Sequence, residues 1–249
     1  MPYVGGKRLL AKRIIARVEK IQHLCYAEPF VGMGSVFLRR RFAPKLEVIN
    51  DRSRDVATLF RIVQRHYQAF LDMMKWQLAT RVEFERLIAT DPDILTDLER
   101  SARFYYLQRT GFGGKVISRS FGVSPISPLR FDISLAPQLE ELHIRLAGIV
   151  IENLAYGDFI RRYDRVSTLF YLDPPYFGSE SHYRRRRFGR ADFEQLAAIL
   201  RSIQGRFILF GRPPETGPAN PPASRASRQR LTIAGNDDAY RAREILIFK

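Results

Sequence analysis

Apolar positions along the chain fall into short unbroken runs separated by stretches with a spacing of three and four, the pattern of buried strands alternating with helices. A helix-like stretch over Arg8–Glu19 leads to the apolar run Leu24-Cys25-Tyr26-Ala27, read as a buried strand. Glu28-Pro29-Phe30-Val31-Gly32-Met33-Gly34 follows, with a helix start at Ser35. A second short strand, Leu46–Ile49, ends at Asn50-Asp51. From Ser53 to about Leu146 the pattern is mainly helical, clearest in Val56–Tyr67 and Leu98–Leu107, and broken by a Gly/Ser/Pro loop from Gly111 to Pro128. Trp76, within Leu71–Leu78, is expected on an apolar helical face in the core. Strand patterns return at Ile149–Leu154 and Leu169–Leu172, a helix at Asp192–Ile203, and further strands at Phe207–Phe210 and Ile245–Phe248. No internal repeat is present. The order predicts an α/β fold in which residues 1–55 and 149–249 make one sheet domain and residues 56–148 an inserted helical subdomain.

Composition adds limits to this picture. A chain of 249 residues, 45% hydrophobic and 27% charged, can bury the core of one ordinary domain with a smaller appended one. No apolar run reaches the roughly 18 to 20 residues of a membrane span, and the N-terminus has no signal-peptide stretch, so a soluble, cytoplasmic protein without a membrane partner is expected. A lone cysteine, Cys25, makes no internal disulfide and supplies no thiolate cluster for zinc. The 41 lysines and arginines, mostly arginine, against 26 acids leave a net charge of +15. Such a surplus asks for a polyanion, and nucleic acid is the natural one; an echo of a GC-rich genome is the bland alternative.

Two constellations carry chemistry. The first is strand, glycine turn, second strand, acid. Gly32 and Gly34 at a strand-to-helix turn let the backbone approach a ligand, and Asp51 closing the next strand can accept hydrogen bonds from ribose hydroxyls. The dinucleotide fingerprint needs a third glycine where Phe37 stands, and Gly5-Gly6-Lys7 lacks the upstream glycine of a phosphate loop. A purely structural turn is the alternative. The second is Asp173-Pro174-Pro175-Tyr176 at the end of an apolar strand. Ligands of open α/β sheets bind beyond the carboxyl ends of strands. There the Asp173 carboxylate and the Pro174 carbonyl could accept both hydrogens of an exocyclic amino group, and Tyr176 could stack on its ring. The opposing reading is a simple strand-ending turn.

With these motifs in this order, the chain resembles the Dam-type DNA adenine methyltransferases, in particular their short prophage forms, over nearly its whole length. Gly5-Gly6-Lys7 matches the family's N-terminal motif, Glu28–Gly34 its cofactor loop, Asn50-Asp51 its ribose acid, and Asp173–Tyr176 its catalytic tetrapeptide. Phe104–Lys115, including Arg109, Phe112 and Lys115, looks like the opening of its DNA-contacting region. The resemblance implies a Rossmann-like S-adenosylmethionine methyltransferase sheet with an inserted helical target-recognition subdomain. It also implies cofactor contacts from Tyr3, Lys7, Glu28, Phe30, Gly32, Gly34, Asp51 and Asp173. Position 3 departs from the tryptophan or tyrosine-proline usual there. The implied reaction moves a methyl group directly to the amino nitrogen of an adenine swung out of double-stranded DNA, without a metal and by a monomer. The expected role is DNA modification, as in restriction-modification systems. An inactive DNA-binding remnant, or a methyltransferase acting on RNA or protein glutamine, are the alternatives.

Three features remain. Arg184, Arg185, Arg186 and Arg187 are a candidate phosphate clamp, a solvated loop being the alternative. His23, His66, His143 and His182 have no metal-ligand spacing, and Cys25 lacks the context of a cytosine-methylating thiolate. From Gly211 to Arg230 the chain switches abruptly to Pro/Arg/Ala/Ser. This stretch is expected to be irregular, and it reads either as a coding segment translated out of phase or as a Pro-rich insertion.

Overall fold

The computed structural model describes residues 7–41, 43–111, 121, 135–175, 188–211, 228–232 and 243–248, with side chains between 11 and 210. Helix α1 (Lys7–Val18) leads to β1 (Cys25–Glu28), a single 3-10 turn at Phe37–Arg39, and β2 (Leu46–Asn50). Five helices follow: α2 (Arg54–Arg65), α3 (Tyr67–Lys75), α4 (Arg81–Ala89), α5 (Asp97–Thr110) and α6 (Leu135–Leu146). The chain then runs through β3 (Val150–Glu152), α7 (Tyr156–Tyr163), β4 (Thr168–Leu172), α8 (Arg190–Ser202), β5 (Arg206–Gly211), β6 (Arg228–Thr232) and β7 (Arg243–Phe248).

All seven strands join one sheet in the order β3-β2-β1-β4-β5-β7-β6. The first five are parallel, and β7 lies antiparallel between β5 and β6. From β1 the chain winds outward to β2 and β3, then returns to β4 on the other side of β1. The strand order therefore reverses between β1 and β4. In open α/β sheets ligands bind outside the carboxyl ends of the strands at such a point.

Strands β1 and β4 are buried at every position, and their successive side chains alternate between the two faces of the sheet. Tyr26, Leu169, Tyr171, Ile208 and Phe210 face one side and pack against Ile14 and Val18 of α1. Cys25, Ala27, Val48, Phe170 and Leu172 face the other, beneath Phe159 and Ile160 of α7 and Leu196 and Leu200 of α8. Helices α2 to α6 build a third cluster around Leu59, Phe60, Phe70, Tyr105, Tyr106 and Leu139, which continues into the sheet through Phe37 and Ile49. Helix α5 starts with a Thr96/Glu99 capping box. Its Arg100 joins Asp55 of α2 (2.5 Å) to Asp93 (2.8 Å).

A charged knot holds this helical layer to the sheet. Glu47 of β2 accepts from Arg40 (3.0 Å) and from Arg145 of α6 (2.8 Å), with the Glu47 and Arg40 side chains 2% and 1% exposed. The two guanidinium groups lie over the rings of Tyr26 and Phe37, 3.8 and 3.9 Å from their centres.

Several expectations are corrected. The helix starting at Ser35 is only the 3-10 turn, because the chain straightens at Arg40 (φ −73, ψ 133), whose side chain turns inward to Glu47. Trp76 is 84% exposed. Phe70, Leu71 and Met74 make the buried spacing of α3, which ends at Lys75, and Trp76 falls outside both that phase and the helix. The stretch after Gly211 does not stay irregular to Arg230, since β6 begins at Arg228 and pairs with β7, whose apolar run Ile245-Leu246-Ile247 gives it a partner. Residues 212–227 lie outside the described part. Among the described residues, no helix is long and apolar enough to cross a membrane.

Candidate active site

The crevice at the β1/β4 switch is framed by the turns leaving β1, β2, β3 and β4. After β1 the chain passes Glu28-Pro29-Phe30 into a glycine turn. Gly32 has φ +51, and a Cβ there would meet no atom within 4 Å, so the backbone faces open space. Gly34 has φ +73 for a different reason: a Cβ would lie 2.8 Å from Leu38 Cγ. Gly32 therefore borders open space, while Gly34 is required by the turn's own packing.

Asp51 locks this turn in place. Its Oδ2 accepts the Gly32 N–H (2.9 Å) and its Oδ1 the Ser53 N–H (2.8 Å). Burial pushes its pKa above the ordinary carboxylate value, and the two amide hydrogen bonds pull the other way. The carboxylate is held beside the Gly32 turn, each oxygen retaining a lone pair for a further donor.

Asn50 does more than the sequence suggested. Its buried amide donates to the carbonyls of Pro29 (2.9 Å) and Leu154 (3.2 Å), and its Oδ1 accepts the Leu154 N–H (2.8 Å). Val31 N–H closes on the Asn50 carbonyl (2.9 Å), and Asn153 donates to the Asp51 carbonyl (2.6 Å). One side chain thus ties together the turns after β1 and β3. An asparagine beside the predicted acid was the available signal; its remote partners were not.

Phe30 belongs to an aromatic wall. Its ring lies 5.6 Å from Tyr156 and 5.7 Å, edge-on, from Phe188, and Phe188 meets Phe193 at 4.7 Å. Tyr156 Oη donates to Gln195 (2.9 Å), fixing the wall to α8. Neither Tyr156 nor Phe188 stands in a motif, and so both were missed. Glu28 turns into the protein instead and accepts from Tyr26 Oη (2.8 Å). That bond and burial hold the Tyr26 hydroxyl well above its ordinary pKa, burial being the larger cause.

Asp173, Pro174 and Pro175 directly follow β4, Pro174 buried and the other two half-buried. With β4 beside β1 in register Ala27↔Phe170, the tetrapeptide turn and the glycine turn emerge as neighbours. Helix α1, which begins at Lys7, packs on the sheet through Ile14 and Val18. Tyr3, Tyr176, Phe112, Lys115 and Arg184–Arg187 lie outside the described residues. Arg109 is engaged internally: it donates to Gln138 of α6 (2.8 Å) and lies 5.8 Å from the Tyr105 ring centre. Burial pushes the Tyr105 hydroxyl up to about 12. Cys25 is a buried core residue whose thiol burial raises, which argues against a nucleophile. Among the described residues no group of three or more His, Cys, Asp or Glu could hold a metal ion.

The fold is a mostly parallel α/β sheet in which the Asp173 turn follows the strand beside the one that leads into the glycine turn. Residues 3–211 match the D12 class of N6 adenine-specific DNA methyltransferases, and the chain belongs to that family. The chain is 26% identical over 223 residues to the DNA adenine methylase of Haemophilus influenzae, covering 82% of this chain and 74% of the relative. It is 26% identical over 189 residues to that of Escherichia coli K12, covering 71% and 64%. The type II methyltransferase M1.LlaDCHI of Lactococcus lactis is 26% identical over 230 residues, covering 84% and 78%. Against the Salmonella and Escherichia coli methylases, the chain thus spans less than two thirds of the relative's length.

Proposed function

We propose that this chain methylates the exocyclic amino nitrogen of adenine in double-stranded DNA with S-adenosylmethionine as donor, using Asp173 and Pro174 as the acceptor pair. The observation that carries the reading is the meeting of the glycine turn and the Asp173 turn at the one reversal of strand order. The open space at Gly32, the Asp51 carboxylate and the Phe30–Tyr156 wall suit a ligand with a backbone-hugging chain, a polyhydroxylated ring and a planar base. When bound, S-adenosylmethionine supplies an electrophilic sulfonium methyl group.

The chain's own part is acceptance and orientation. The Asp173 carboxylate and the Pro174 carbonyl take the two amino hydrogens of an extruded adenine, which turns the nitrogen lone pair out of conjugation and toward the methyl. As the new N–C bond formed, the methyl–sulfur bond would break with its electron pair staying on sulfur, and the nitrogen would become cationic. One of its protons then leaves along the hydrogen bond already made to Asp173 and passes to water. Proline has no N–H, so the turn offers the amino group acceptors without a competing donor. Tyr176 is read as the stacking partner, helices α2–α6 as the recognition subdomain, and Phe112, Lys115 and Arg184–Arg187 as DNA contacts.

A specific observation favours a second reading, an inactive remnant. The family match stops at Gly211, where the Pro/Arg/Ala/Ser stretch begins. Incubation with labelled S-adenosylmethionine and unmethylated duplex DNA separates the two. Label in N6-methyladenine supports the main reading. Label nowhere supports the remnant, and label in cytosine or in protein alone rejects both.

A further inference from the structure

The edge of the sheet opposite the crevice is also charged, and nothing in the catalytic reading uses it. Backbone contacts make its turns neighbours: Leu24 N–H donates to the Ser167 carbonyl (3.0 Å), Leu46 N–H to the Leu24 carbonyl (3.1 Å), and the Arg206 guanidinium to the Gln22 carbonyl. Lys20, Arg41, Lys45 and Arg165 stand exposed on these turns, with Arg206 half-exposed beside them. None of the five has a carboxylate partner among the described residues. The acids at this edge offer little compensation. Asp164 spends both oxygens on the Gln204 and Gly205 amides, Glu47 is buried between Arg40 and Arg145, and only Glu19 is exposed. Helix dipoles account for the cations in the last turn of α7, Arg161 and Arg162, but not for Lys45 and Arg206 at strand starts.

These cations front β2, β1, β4 and β5, four adjacent strands, a span of about 15 Å at roughly 4.8 Å per strand. A row of cations that outnumbers the acids beside it suits a polyanion of high charge density, and a duplex carries about one charge per 1.7 Å of axis. The sheet separates this edge from the crevice. DNA persists over roughly 150 base pairs, so a duplex lying in the crevice does not bend back to reach both edges. We infer that the amino edge of the sheet is a second, sequence-independent DNA-binding surface, gripping the phosphates of a duplex segment other than the one being methylated. The inference rests on the reading of the protein as acting on duplex DNA. Its consequence is transfer between segments of long DNA without full release.

The test compares the full chain with K20E/K45E/R165E and with the milder K20Q/K45Q/R165Q, which keeps the question answerable if charge reversal prevents folding. With a short synthetic duplex at low salt and no methyl donor, the unaltered protein should take two duplexes per chain and the variants one. In the unaltered protein the weaker event should lose affinity with salt at a slope of about 0.9 for each phosphate contacted. Passage from a loaded plasmid to a competitor plasmid should slow several-fold in the variants. A single duplex per chain in the unaltered protein, or two in the variants, overturns the inference. So does capture of phosphatidylglycerol vesicles in preference to the second duplex, an outcome that the exposed Leu24 and Val166 between these cations make worth measuring. Because stoichiometry is read without donor, absence of turnover would count against the catalytic reading and not against this surface.

Discussion

Replacing Asn50 with alanine tests whether the crevice is held open by one buried amide. The substitution removes two donated hydrogen bonds, to Pro29 and Leu154 carbonyls, and one accepted from the Leu154 amide. At about 1 kcal/mol net for each, and with three main-chain groups left in a site where the side chain is buried, the loss should be about 3 kcal/mol. For a domain of this size that lowers Tm by roughly 6 to 12 °C. Urea unfolding should show a lower midpoint at unchanged slope, since the surface exposed on unfolding does not change. The functional effect should be selective. Loosened turns after β1 and β3 should raise KM for S-adenosylmethionine far more than they lower kcat, and Asn50→Asp, which sets a buried carboxylate oxygen against the two carbonyls, should be at least as damaging. A loss under about 1 kcal/mol with an unchanged KM would refute the reasoning.

Glu47→Ala leaves Arg40 and Arg145 without their shared acceptor and should cost about 3 to 5 kcal/mol in urea unfolding; a near-neutral result would mean the two guanidiniums find water. For Asp51 the folded pKa lies above the ordinary value, so its contribution to stability is full below the unfolded pKa and is lost as pH rises through the folded one. Relative to the non-titrating Asp51→Asn, the unaltered protein should therefore gain Tm as pH falls from neutral to mildly acidic, and a shift the other way would mean the Gly32 and Ser53 amides outweigh burial. Replacing Arg184–Arg187 with alanine should weaken DNA binding and flatten its salt dependence by up to about 0.9 per contact, whereas an unchanged slope returns the run to a solvated loop.

What the sequence made legible was local or short in range. The apolar runs before Glu28 and Asp173 marked β1 and β4, because a strand buried on both faces leaves no alternation to hide it. The glycine turn and the acid at Asp51 were found by type and spacing, and the hydrogen bond between them follows from that spacing. Asn50 holding Leu154 was not legible, since its partners come from a distant part of the chain and any small amide reads alike in one dimension. The Glu47 knot was hidden for the same reason, Arg145 lying 98 residues along the chain from its partner. Trp76 misled because periodicity counts residues and not the helix end at Lys75. Strand β6, Arg-Gln-Arg-Leu-Thr, carries no alternating signal and exists through its pairing with β7.

The most direct test of the central claim is Asp173→Ala, assayed in parallel for methyl transfer to adenine and for duplex binding. Removing the carboxylate takes one acceptor from the amino group but no phosphate contact. The account predicts transfer reduced by about a hundredfold or more, with duplex affinity nearly unchanged. Equal losses of binding and transfer, or transfer that survives the substitution, would contradict it.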